Sequence, residues 1–150
     1  MNQQEQCEVV DAYARVAIDL FTESKITDPE ALALVEPVLQ CWNERKHWEV
    51  AREGAHEGFF SSLVWPTVVV YRRLDALRRT TSSQHPANTH ALSIACDLVF
   101  ALQTAAEVHV ETDDEERWYK ANHMTTRVLC VYQNIRDGRV GVNTSKAREQ

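Results

Sequence analysis

Four residues, Glu44, His47, Glu53 and His56, come closest to a recognisable chemical pattern in this chain. They form two Glu-x-x-His motifs, the spacing that sets a carboxylate and an imidazole side by side on one helix face. Di-iron bundles use one such motif on each of two helices, with glutamates from two more. Here both motifs fall on one stretch, nine residues apart. At about 100° per residue, nine steps come to roughly half a helical turn, so the two motifs face opposite ways. Glu107 and His109, two apart, also diverge. The pattern therefore reads as a solvated helix face, with Glu49, Arg52, Glu53, His56 and Glu57 supplying i,i+4 pairs. The expectation is no metal and no cofactor.

Cysteine chemistry is equally unpromising. Cys7, Cys41, Cys96 and Cys130 stand singly in apolar helical patterns, with no C-x-x-C pair. That placement suits buried reduced thiols and a cytoplasmic chain, not a zinc site. Gly-x-Ser-x-Gly and Gly-rich phosphate loops are missing. One catalytic pair remains, Arg79 and His85, five residues between them and a polar TTSSQ spacer. This resembles the Arg-x(4–6)-His signature of HEPN ribonucleases, which are small helical bundles. The resemblance covers seven residues and implies that His85 would act on the 2′-OH and Arg79 on the phosphate. Thr80 stands where that signature has Asn, Asp or His. The same residues also read as an arginine-rich helix end, which the macrodipole favours, followed by a polar loop.

Charge is the second functional signal. The formal net charge is −6, which argues against a nucleic-acid binder. The acidity is concentrated. Residues 1–36 hold eight acids against two bases, and residues 107–117 hold six acids against Arg117 alone. Asp113, Asp114, Glu115 and Glu116 cluster at one helix start, more carboxylates than a cap requires, and Trp118 and Tyr119 follow at once. Glu107, Glu111, these four acids and the two aromatics are the candidate partner-binding residues. A basic protein surface would complement them. The sequence therefore points to a non-enzymatic protein-binding module (regulator, inhibitor or immunity-type protein), with homodimerisation open. The alternative is the HEPN-like ribonuclease using Arg79 and His85.

Placing these residues requires the helices. One hundred and fifty residues suit one domain, able to bury about two-thirds of its surface without a staple. Four Gly and four Pro leave few tight turns, against an all-β fold. The first ten residues show no signal peptide. Helix 1 spans 4–22, with Val9, Tyr13, Val16 and Leu20 inward and Val10, Ala14, Ala17 and Phe21 beside them. Thr27-Asp28-Pro29-Glu30 and Thr112-Asp113-Asp114-Glu115 both read as capping boxes. Helix 2 carries Leu32, Val35, Leu39 and Trp42, with Pro37 expected to kink or restart it before it continues to Glu53.

Residues 59–79 are apolar around most of their girth, which predicts the buried central helix, bent by Pro66 near Ser62–Trp65. The segment is too short for a bilayer span. Helix 4 runs to Val110 with Leu92, Ala95, Cys96, Val99 and Leu102 on one face and a polar stripe through Asp97, Thr104 and Glu107. Helix 5 turns Trp118, Ala121, Met124, Val128, Leu129, Tyr132 and Ile135 inward and ends at Gly138. The expected architecture is all-α, a single-domain bundle of about five helices over 1–138, with 139–150 a disordered tail. The two TD-containing caps hint at a duplicated helical hairpin.

Overall fold

Asn2 starts the first helix, accepting the Glu5 N–H on its side-chain oxygen at 2.8 Å, as an N-cap asparagine does. The computed structural model describes residues 2–44, 64–81 and 86–149, with the main chain alone for 81, 86–89 and 138–149. Among the described residues there are five helices and no strand: α1 Gln3–Glu23, α2 Pro29–Glu44, α3 Trp65–Thr81, α4 Pro86–Val110 and α5 Asp114–Glu149. The chain is an all-α bundle. Helix α4 is its axis and packs against each of the other four; α1 also lies on α5, and α2 on α3.

The central position thus belongs to Pro86–Val110, not to the 59–79 stretch. Helix α3 leaves Trp65 and Val69 about half exposed, while Val64, Thr67 and Leu74 are buried. Residues 59–63 lie outside the described residues. Pro66 is the second residue of α3. There its missing N–H costs no helical bond, so it starts the helix instead of bending one. The buried Thr67 hydroxyl is satisfied by the Val64 carbonyl.

Helix α4 earns its place by composition. Ala95, Ala101, Ala105 and Ala106 are fully buried and let neighbouring helices approach closely, while Leu98, Val99, Leu102 and Val108 fill the gaps between them. Within its polar stripe Thr104 is buried and donates to the Phe100 carbonyl at 2.9 Å, while Asp97 and Glu107 are half-buried. Its 90–110 stretch is long and apolar enough to cross a membrane by length and composition, and 67% of that window is buried inside the bundle.

Helix α1 is rotated from its expected orientation. Cys7, Val10, Ala14, Ala17, Ile18 and Phe21 form the buried face, and Val9 and Val16 are exposed. The small residues Ala14 and Ala17 suit close packing, while of the bulkier stripe Tyr13 and Leu20 pack at the edge of the core and Val9 and Val16 are turned aside. In α2, Ala31, Val35, Val38 and Trp42 are buried and Leu32 is exposed. The helix passes through Pro37 without ending, and its expected continuation through 45–53 lies outside the described residues. In α5, Met124, Val131 and Ile135 are buried, whereas Trp118, Leu129 and Tyr132, all expected inward, are exposed. Gly138 falls within α5 and does not cap it.

Of the two expected boxes, the first starts its helix at Pro29 as expected, with Asp28 as the cap, and the second is shifted by one residue. At α2 it is Asp28 that accepts the Ala31 N–H, at 2.9 Å, with Pro29 first in the helix. At α5 the Asp113 carbonyl accepts the Arg117 N–H at 2.9 Å, which puts Asp113, not Thr112, at the cap position.

Candidate partner-binding cleft

The first turns of α1 and α5 lie side by side because Arg117 ties them. Its side chain is only 5% exposed. The Nε donates to Gln6 Oε1 of α1 at 2.7 Å, and Nη1 donates to the Glu111 carbonyl at the end of α4 at 3.0 Å. The Nη2 pairs with Asp114 Oδ1 in the first turn of α5. One planar guanidinium therefore joins three helices and keeps its charge balanced under cover, a task its rigid fork suits.

A cleft of about 900 Å³ opens over this tie. Asn2, Gln3 and Gln6 line it from α1, and residues 114–119 line it from α5. Trp118 and Tyr119 are 60% and 59% exposed. Tyr119 meets His123 edge-on, ring centroids 4.4 Å apart, which holds the phenol ring against its own helix.

The eight candidate residues do not act as one surface. Glu107 and Glu111 face Lys120, at 3.9 and 3.7 Å, and Glu107 also accepts from Gln103 at 3.0 Å. Asp114 is committed to Arg117. Asp113, Glu115 and Glu116 are exposed, and the acids of α5's first turn face the positive end of that helix, which stabilises them there. The structure thus gathers Asp114, Glu115, Glu116, Trp118 and Tyr119 at the cleft and sets Glu107 and Glu111 beside Lys120.

A second buried tie joins α1 to the end of α4. His109, in the last turn of α4 and 4% exposed, meets Asp11 of α1 at 2.7 Å. Burial pushes the imidazole down, but the hydrogen bond with Asp11 outweighs it, helped by Cys7, and the His109 pKa rises to about 9. His109 is therefore charged at neutral pH, and a cation at a helix C-terminus is favourable. Neither Gln6–Arg117 nor Asp11–His109 was legible in the sequence. The partners are 111 and 98 residues apart.

The other chemical candidates are dispersed. Arg79 Nη2 pairs with Asp75 at 3.1 Å, and Asp75 also bonds Arg78. His85 lies outside the described residues, as do His47, Glu53 and His56. Among the described residues no group of three His, Cys, Asp or Glu side chains could hold a metal ion. All four cysteines are free, and burial pushes the Cys96 thiol up to about 12. Asp97 is raised by burial, against the pull of its Asn134 hydrogen bond and of Arg78 and Arg127. No family model, no curated protein and no solved structure matches the chain.

Proposed function

We propose that this chain is a protein-binding module that receives a basic partner in the cleft between the first turns of α1 and α5. The observation that carries the reading is the exposed pair Trp118 and Tyr119 at the rim of a cleft whose α5 side also carries the exposed acids Glu115 and Glu116, opposite Asn2 and Gln3. Large aromatics left in water are the residues that anchor interfaces when a partner covers them. Carboxylates beside them would steer a cationic partner and fix its register. Buried Arg117 supports the same reading, because it ties the two helix starts together at a fixed spacing and so keeps the cleft formed in the free protein.

The experiment is affinity capture on the tagged full chain, with bound proteins identified by mass spectrometry and the leading one purified and titrated. The expected partner presents a basic surface, and its association rate falls with added salt, since exposed charges are screened over about 8 Å at physiological ionic strength. A partner whose binding is indifferent to salt and to Trp118→Ala would remove the cleft from the interface.

A further inference from the structure

Five of the nine large hydrophobic side chains exposed among the described residues fall on one face, the side that α1 and α5 turn away from α4. Helix α1 lies on α5, and Gln6 meets Arg117 where both begin, so the two run in the same direction. Four residues fix how each helix is turned. In α1, Gln6 faces α5 and Asp11 faces α4. In α5, Arg117 faces α1, and Arg127, 3.9 Å from the centre of the Phe100 ring, faces α4. Counting about 100° per residue from these directions puts Val9 and Val16 on the outer side of α1, with Trp118, Leu129 and Tyr132 on the outer side of α5. All five are between 37% and 60% exposed. Glu5 shares the outer side of α1 and Arg136 that of α5. Both are exposed, and neither forms an ion pair among the described residues. An apolar patch rimmed by charge marks a surface that another molecule covers.

We propose that a second copy of this chain covers this face, packed antiparallel so that α1 of each copy lies on α5 of the other. Charge selects that pairing. Packing α1 on α1 would set Glu5, Glu8, Asp19 and Glu23 against the same acids, whereas residues 118–150 hold six bases against two acids. Laying Val9 against Tyr132 of the second copy, antiparallel, places Leu129 over the small exposed Ala12, between Val9 and Val16. The same register brings Arg136, one turn beyond Tyr132, to Glu5, one turn before Val9. Two-fold symmetry makes that ion pair twice. The area is sufficient. Helix α1, 21 residues long, runs about 31 Å, and two helices side by side are about 20 Å wide, a footprint on the order of 600 Å². A specific interface takes roughly 800 Å² of accessible surface from each partner, so this one stands at the lower edge. A dimer with a Kd on the order of 10 µM is the expectation. The cleft opens at one end of this face, and the inference goes beyond the partner-binding reading without resting on it.

The test is analytical ultracentrifugation of the full chain alone, from about 1 to about 200 µM, a range that brackets the expected Kd. Wild type should pass from monomer to dimer across it. Leu129→Glu, at an exposed site, should weaken the dimer at least about tenfold and change the melting temperature little. Arg136→Glu sets like charges face to face and should weaken it about fivefold. Adding Glu5→Lys to Arg136→Glu restores opposite charges and should return affinity to within about twofold of wild type. A variant that merely folded badly would gain nothing from the second change. A chain still monomeric at the top concentration, a dimer indifferent to Leu129→Glu, species larger than a dimer, or no rescue by Glu5→Lys would each overturn the inference. Rescue by Glu23→Lys instead would mean parallel pairing and would overturn the arrangement. Any of these leaves the partner-binding reading standing, because that reading fails separately, if the captured partner ignores Trp118→Ala and salt.

Discussion

Two side chains, Arg117 and His109, join helices distant in sequence at the same end of the bundle, and each can be tested alone. Replacing Arg117 by Leu strands Gln6 Oε1 and the Glu111 carbonyl, while the mostly exposed Asp114 returns to water. The cost should be about 3 kcal/mol, from two polar groups left under cover. Arg117→Lys should recover little, because an ammonium has no planar fork to span three acceptors. Chemical denaturation of the three proteins measures both; a loss below about 0.5 kcal/mol for Arg117→Leu, the range of ordinary surface changes, would contradict the tie.

His109 predicts a pH dependence with a definite sign. Its folded pKa, about 9, lies above the ordinary 6.5. The folded state therefore binds the proton more tightly than the unfolded chain. The resulting stability is fully present below pH 6.5 and is lost as pH rises through 9. The size is on the order of 3 kcal/mol at most. Melting temperatures should fall across that window, and Asp11→Asn should flatten the slope by removing the partner. A wild-type melting curve that does not move between pH 6.5 and 9 would sink this account of the pair.

At the scale of elements, helix ends and helix faces set what the sequence could reveal. The five helices, the proline-led start of α2 and the acid-led start of α5 were legible because caps and periodicity are local. The choice of face was not. Helix α1 carries two apolar stripes about a quarter-turn apart, and the bulkier one lies at the edge of the core, with Val9 and Val16 exposed and Tyr13 and Leu20 partly buried. The winning stripe contains Ala14 and Ala17, and it wins because α1 meets the alanine-rich α4, where small residues permit close approach. The same reason moves the axis of the bundle from the valine-rich α3 to α4. Overpacking tests it: Ala101→Leu should cost about 1–3 kcal/mol, since Ala101 is fully buried on the axis helix.

The end of α1 gives a prediction of opposite sign. Lys25 follows the helix with φ 53, the left-handed region that glycine occupies without a Cβ penalty. Lys25→Gly should stabilise the protein by about 1 kcal/mol. A destabilised variant in thermal melting would mean that Lys25 does not adopt this conformation.

For the whole molecule, the candidate site was half legible. The clustered acids and the aromatics after them stand next to each other in sequence, so composition alone marks the corner. The sequence could not divide them. Lys120 occupies Glu107 and Glu111, Arg117 occupies Asp114, and only the fold brings Asn2, Gln3 and Gln6 up to face Trp118. That division decides which charges can be altered safely. Reversing Asp114 would disturb the buried guanidinium, whereas Glu115 and Glu116 make no side-chain bond among the described residues. The most direct measurement is therefore the affinity of the captured partner for wild type and for Glu115→Lys with Glu116→Lys, alongside the melting temperature of both. Affinity should fall at least about tenfold, a change of about 1.4 kcal/mol. The melting temperature should drop only a few degrees, from two lost helix-dipole contacts worth up to about 1 kcal/mol each. Unchanged affinity at low salt would contradict the central claim that this cleft receives the partner.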